Sequence, residues 1–136
     1  MAGTLVDSNV LLDIFTEDPM WLEWSSDALG AAAETGPLYI NAIICAEVSV
    51  RFSRIEDLED ALPTSDFRRR AMPWPAAFLA GKAFVSYQRA RGTASTPLPD
   101  FFIGAHAAVE DLAVLTRDTR RYRTYFPTVR LLAPVR

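Results

Sequence analysis

Short apolar runs alternate along this chain with longer stretches whose apolar side chains recur at helical spacing. Thr4-Leu5-Val6 is short and partly β-branched, and reads as a buried strand. Asp7-Ser8-Asn9 breaks it with residue types that cap helices, and Val10–Phe15 reads as one short helix closed by Glu17-Asp18-Pro19. Trp21–Glu34 sets Trp21, Trp24, Ala28, Leu29 and Ala32 near helical spacing, and Gly36-Pro37 ends that run. Leu38-Tyr39-Ile40 is a second strand. Asn41 stands where it would cap a helix over Ala42–Phe52. Ile55–Leu62 is a short acidic helix stopped by Pro63. Pro73-Trp74-Pro75 precedes a longer helix through about Arg91, and Gly92–Pro99, rich in Thr, Ser and Pro, reads as a loop. Asp100–Asp111 is a predicted helix with apolar Phe102, Ile103, Ala107 and Val109. Ala113–Thr116 is a third strand, Asp118–Tyr125 a short helix or turn, and Val129–Leu132 a last strand.

That alternation predicts an α/β fold: a mainly parallel central sheet of about four to five strands with helices on both faces. The chain has 136 residues, half of them hydrophobic, which suits one domain over residues 1–136 with an adequate core. Met1–Phe15 has no basic lead and contains Asp7 and Asp13, so it does not read as a signal peptide. No uncharged apolar run approaches a membrane span. Cys45 is the sole cysteine, which rules out an internal disulfide and fits a reducing compartment. A soluble, cytoplasmic protein is the expectation.

In folds of this kind the site lies past the carboxyl ends of the strands, and acids stand there. Asp7 follows Leu5-Val6 and Asp118 follows Val114-Leu115-Thr116-Arg117. Asp100 opens Phe101-Phe102-Ile103, and Glu47 sits among Ile43, Ile44, Cys45, Ala46 and Val48. Taken singly, each aspartate has a structural reading as a turn or helix start. Glu47 has less of one, because a solvated helix face carries more than one charge. Carboxylates gathered beside apolar segments repel one another and lose hydration, and a divalent cation such as Mg²⁺ or Mn²⁺ relieves both costs. Such an ion polarises phosphoryl oxygens, activates water and orients in-line attack, which is the chemistry of a nuclease.

The local strings sharpen this picture. Val6-Asp7-Ser8-Asn9-Val10-Leu11-Leu12-Asp13 resembles the opening motif of PIN domains, and Ala46-Glu47 their second motif. Pro99-Asp100-Phe101-Phe102-Ile103-Gly104-Ala105-His106-Ala107 resembles the third motif. Leu115-Thr116-Arg117-Asp118, followed by Arg121-Tyr122 and Tyr125-Phe126-Pro127, resembles the closing segment. Order and spacing are similar to those of VapC-type toxins of bacterial toxin–antitoxin pairs, from about Thr4 to Pro134. The resemblance implies an Mg²⁺- or Mn²⁺-dependent endoribonuclease in which metal-activated water hydrolyses RNA, tRNA or rRNA by class, leaving a 5′-phosphate. It implies Asp7 and Asp100 as main metal ligands, Glu47 completing the first or second shell, and Asp118 helping to hold the ion or a second one. Asn9 and Thr116 match polar positions that support these acids. Ser8 departs from the more usual threonine but keeps a hydroxyl. The resemblance further implies a homodimer and a cognate antitoxin that blocks the site.

Net charge is -3, so any attraction to RNA must be local. Thirteen of the fourteen basic residues are arginine, clustered at Arg68-Arg69-Arg70, Arg89/Arg91 and Arg117–Arg123. Arg117, Arg120 and Arg121 adjoin the expected site. They read either as RNA-backbone contacts, with Tyr122 or Tyr125 available for stacking, or as a solvated turn whose arginines pair with nearby acids. Arg68-Arg69-Arg70 reads as a solvated face, with a second RNA contact as the alternative. His106, the only histidine, cannot serve as both acid and base of a metal-free ribonuclease, and its apolar surroundings suggest a packed or hydrogen-bonded role. Cys45 reads as buried. Trp21 and Trp24 read as core or half-buried residues, the resemblance implying as the alternative an apolar groove for the antitoxin tail, and Trp74 reads as a loop anchor. Two competitors stand: a non-catalytic PIN-like binding module, and a metal-dependent phosphatase. The second lacks the second Asp of an Asp-x-Asp string and a site lysine, Lys82 being the lone lysine.

Overall fold

Five short strands and seven helices make up the computed structural model, which describes residues 3–91 and 98–135. In chain order they are β1 (Thr4–Val6), α1 (Ser8–Phe15), α2 (Leu22–Thr35), β2 (Leu38–Ile40), α3 (Ala42–Ser49), α4 (Ile55–Ala61), β3 (Phe67–Arg69), α5 (Trp74–Arg91), α6 (Leu98–Glu110), β4 (Ala113–Leu115), α7 (Arg120–Tyr125) and β5 (Leu131–Leu132). The strands form one sheet in the order β3-β2-β1-β4-β5, every pairing parallel. Parallel neighbours need crossover connections, and helices supply them. All residues of β1 and β4 are buried although successive side chains point to opposite faces, so both faces of the central sheet are covered. Among the described residues no helix is long and apolar enough to cross a membrane.

The core is built from the periodicity read along the chain. Leu5, Val6, Ile40, Val114 and Leu115 from the strands meet Val10, Leu11, Ile44, Val48, Phe101 and Ile103 from the helices, all at most 1% exposed. Asn41 caps α3 as predicted, its side chain accepting the Ile44 N–H at 2.9 Å. His106 is fully buried, and its Nδ1 lies 3.0 Å from Asn41 Nδ2. Since the Asn41 oxygen is engaged by α3, its amide donates to the ring, and His106 Nε2 donates onward to Glu110 at 2.8 Å. The packed, hydrogen-bonded role expected for His106 is what the fold contains.

Several elements differ from their predicted form. β3 overlaps Arg68-Arg69-Arg70, a segment read as a solvated face or a second RNA contact and not as a strand. Arg68 and Arg69 are indeed exposed, but they stand on an edge strand pairing Leu38–Ile40, with Phe67 as its single buried residue. One apolar residue gives no alternation to detect, and charges on an edge deter further pairing. Arg70, just beyond, bonds Glu110 at 2.8 Å. α1 starts at Ser8 rather than Val10, and α3 stops at Ser49 rather than Phe52. α6 starts at Leu98, with Pro99 in its first turn where no N–H is missed. Of the predicted loop Gly92–Pro99, residues 92–97 lie outside the described residues. Cys45 is half-buried rather than buried. Trp74 is largely exposed, so it anchors nothing among the described residues.

Gly104, in the middle of α6, answers a packing demand. A Cβ there would collide with one edge of the Phe126 ring, closer than side-chain carbons approach a neighbour. That ring is itself buried against Phe101. Gly→Ala in an open helix stabilises by up to about 1 kcal/mol. Here Gly104→Ala is expected to destabilise by about 2 kcal/mol in urea unfolding, and Phe126→Leu in the same chain to recover part of that. A stabilising Gly104→Ala would show that Phe126 does not close this face.

Candidate functional site

The sheet order reverses direction at β1: the chain proceeds to β2 on one side and reaches β4 on the other. Crossovers leave such a point in opposite directions and open a crevice past the strand ends. Asp7 and Thr116, each the first residue beyond its strand, meet there, joined by the bond from Asp7 N to Leu115 O at 2.9 Å. Asp7 occupies the N-cap position of α1, but its side chain makes no capping bond. Instead Oδ2 accepts from Thr116 Oγ1 at 2.9 Å and from the Tyr122 hydroxyl at 2.8 Å. Thr116 Oγ1 accepts in turn from Asn9 Nδ2 and from the Asp118 N–H, both at 3.1 Å. Asn9, Thr116 and Asp7 thus form a relay of hydrogen bonds in which Asn9 donates to the threonine that donates to Asp7.

The other acids arrive from separate elements. Glu47 projects from α3, and Ser8 Oγ donates to its Oε1 at 2.7 Å. Asp100 sits in the first turn of α6, with Arg121 Nη1 of α7 at 3.2 Å. Asp118 precedes α7 and is gripped by Arg120, Nε to Oδ1 at 3.2 Å and Nη2 to Oδ2 at 3.1 Å. Burial pushes Asp7 above the ordinary carboxyl range, against the pull of its two hydroxyl donors, and the charge of Asp118 adds to the rise. Glu47 is raised by burial and by Asp7, with Ser8 opposing. Asp100 is pushed up to about 6, first by burial and then by Asp7, while Arg121 pulls it down and Glu47 and Asp118 add to the rise. Asp118 is lowered by Arg120. Asp100 thus lies within electrostatic reach of the other three carboxylates, and so does Asp7.

Every donor atom in this group is a hard carboxylate oxygen, and three of the four acids are held above their normal range by desolvation and repulsion. That is the donor set and the electrostatic debt that a divalent cation relieves. Among the described residues, no three His, Cys, Asp or Glu side chains are drawn close enough to cage one ion. Arg120 and Arg121 lie against two of the acids instead.

Tyr122 departs from its expected role, while Arg117 follows the acid-paired alternative and the two tryptophans are half-buried as expected. Tyr122, read as available for stacking, is 2% exposed and bonded to Asp7. Its hydroxyl is pushed well above the ordinary tyrosine range by burial and by the nearby carboxylates, so it stays a donor. Arg117 is held by buried Asp13, at 2.7 Å and 3.1 Å, and lies over the Trp21 ring at 5.3 Å. Asp13 also accepts from Ser25 at 2.8 Å. The only clue was an acid inside the apolar string Val10–Phe15. Trp21 and Trp24 are half-buried and meet edge to face at 6.1 Å.

Asp100 makes a pH dependence that can be measured. Its folded pKa of about 6 exceeds its usual 3.8, so ionising it costs the fold. The stabilisation is full below the usual pKa and is lost as pH rises through about 6. Without divalent ions, Asp100→Asn should therefore gain on the parent protein between pH 4 and 7 in urea unfolding. The side chain is 32% exposed, and after discounting for solvent the gain is about 1 kcal/mol. A constant difference between the two proteins across that range would rule this out.

The PIN domain family model matches residues 4–127. No protein of curated function matches significantly. Among solved structures, similarity extends to VapBC2 from Rickettsia felis bound to a promoter DNA fragment, at 16% identity and TM-score 0.69 over 96% of this chain and 97% of that one. A toxin–antitoxin complex from Klebsiella pneumoniae is 23% identical with TM-score 0.68, over 98% of both chains. FitAcB from Neisseria gonorrhoeae is 21% identical with TM-score 0.66, over 95% of this chain and 96% of that one. At these identities the structures share the fold. With the family model spanning nearly the whole sheet and all four acids, the chain belongs to the PIN domain family.

Proposed function

We propose that this protein is a VapC-type toxin: a cytoplasmic endoribonuclease, one domain over residues 1–136, that needs Mg²⁺ or Mn²⁺ and is neutralised by a cognate antitoxin. The observation that carries the reading is the electrostatic coupling of Asp100 to Asp7, Glu47 and Asp118, beside the carboxyl ends of β1 and β4. PIN domain membership supports a nuclease. The toxin–antitoxin complexes that share the fold support a toxin with an antitoxin partner. A structured RNA, tRNA or rRNA, is the proposed substrate, and a homodimer the proposed assembly.

In this reading Asp7 and Asp100 hold the cation, with Glu47 and Asp118 completing its surroundings. When bound, the ion supplies the Lewis acidity that activates water and balances charge on the phosphoryl group. The protein supplies the rest. Thr116 and Tyr122 oppose the pull of burial on Asp7 and fix its rotamer, so a carboxylate stands ready without reorganising. Ser8 does the same for Glu47. Attack in line on the phosphodiester breaks the bond to the 3′-oxygen, which leaves with a proton, and the phosphate stays on the 5′ side.

A non-catalytic binding module has one observation on its side, the pairing of Asp100 and Asp118 with arginines. Asp100→Asn separates the readings. It is expected to lower Mn²⁺-dependent RNA cleavage by about 10²-fold or more, with an unchanged circular dichroism spectrum. Mapping RNA ends after brief induction should give new 5′-phosphate ends that the variant does not produce. Parent protein that binds RNA and never cuts it with Mn²⁺ would leave the binding module standing.

A further inference from the structure

We propose that Arg120 and Arg121 form a binding subsite for an RNA phosphodiester, and that in the free protein this subsite is closed on the molecule's own carboxylates. The proposal deepens the nuclease reading and rests on it. A cavity of about 180 Å³ lies beside α7, lined by Tyr87, Arg120, Arg121, Thr124 and Tyr125. Two of its lining side chains are the arginines that reach Asp100 and Asp118, so the guanidiniums stand between the cavity and the acids.

The arginines of this segment differ in how firmly they are held. Arg117 is bidentate on a buried carboxylate and backed by an indole, so it has no freedom to change partner. Arg120 is 82% exposed, and an ion pair at that exposure holds weakly. Arg121 is the informative one. Its guanidinium lies 5.9 Å from the Tyr87 ring centroid and only Nη1 meets Asp100, while its Nε is buried with no hydrogen-bond partner. A buried donor without an acceptor is costly. A phosphate oxygen in the cavity would satisfy it, because Nε with a terminal nitrogen makes the two-toothed fork that arginine presents to phosphate.

The carboxylate oxygens on which the two arginines now rest are those a cation would need. Cation and arginine therefore compete, whereas cation and phosphate assist each other: occupying Asp100 and Asp118 turns both guanidiniums toward the cavity. A purely structural pair predicts the opposite, since removing an arginine that merely orders Asp100 would loosen the cation.

The test is two titrations on the full chain. Mn²⁺ alone is followed by calorimetry, and a fluorescein-labelled RNA oligomer by anisotropy with Ca²⁺ in place of Mg²⁺. Arg121→Ala is expected to bind Mn²⁺ several-fold tighter and RNA about tenfold weaker. Arg120→Ala should shift both the same way by less, and exposed Arg123→Ala should shift neither. Arg121→Lys, which keeps charge and loses the fork, should fall between on RNA and serves if the alanine variant does not fold. Unchanged RNA affinity, or weaker Mn²⁺ binding, in a folded Arg121 variant overturns the subsite alone. A parent protein that neither binds Mn²⁺ nor cuts RNA overturns the nuclease reading and the subsite with it.

Discussion

The arrangement turns on one carboxylate kept out of water. Asp7 is 3% exposed, directly after the buried apolar pair Leu5-Val6 that ends β1. An uncompensated charge there would be neutralised by a proton. Two hydroxyls prevent it from being wholly uncompensated, one from the residue after β4 and one from the middle of α7. Each depends on longer-range structure. Thr116 reaches Asp7 because β1 and β4 are neighbours in register, Val6 opposite Leu115. Tyr122 reaches it because α7 folds back over the crevice with that ring in the core. The pairing order of the sheet and the protonation of the central acid are thus one constraint seen at two scales.

Around that acid, charge is balanced in layers. Four carboxylates face two guanidiniums, Arg120 and Arg121, while Arg117 is committed to Asp13 farther out. Asp13 and Arg117 fasten α1 to the segment after β4, the same two segments that carry Asp7 and Asp118. Breaking a pair of this burial from one side leaves an isolated charge, which is why such pairs are costly to disrupt even where they add little net stability. The inner acids are different. Their repulsion is left partly unrelieved, and Asp100 bears it most visibly, because it feels the other three acids and has only one arginine contact among the described residues.

Much of this was legible in the chain because it is local. Strands β1, β2 and β4 are short apolar runs bounded by turn formers, and the cap at Asn41 follows from a side-chain oxygen meeting free N–H groups in the next turn. The four acids were legible as strings, since each sits against a recognisable apolar neighbour. What escaped depends on partners far away in sequence. β3 has one buried residue, and only its pairing with β2 makes it a strand. Tyr122 and Asp7 are separated by 115 positions and Arg117 and Asp13 by 104, so nothing near either residue announces the bond. Cys45 sits in an apolar string yet is half-exposed, because α3 lies with one side at a cavity beside Arg69 and Arg70.

The same logic explains why the acid-bearing helices are tied together below the crevice. Glu47 rides on α3 and Asp100 on α6, and neither helix is fixed to the other by the sheet alone. Asn41, at the start of α3, spends its oxygen on the helix and its amide on His106 of α6. His106 spends its other nitrogen on Glu110, which also receives Arg70 from the end of β3. Each polar atom in this chain has one geometry that satisfies it, so a sliding of α3 against α6 would leave a buried donor or acceptor unpaired. Apolar contacts would tolerate such a slide; directional bonds do not. The buried histidine thereby bears on the distance between two of the acids.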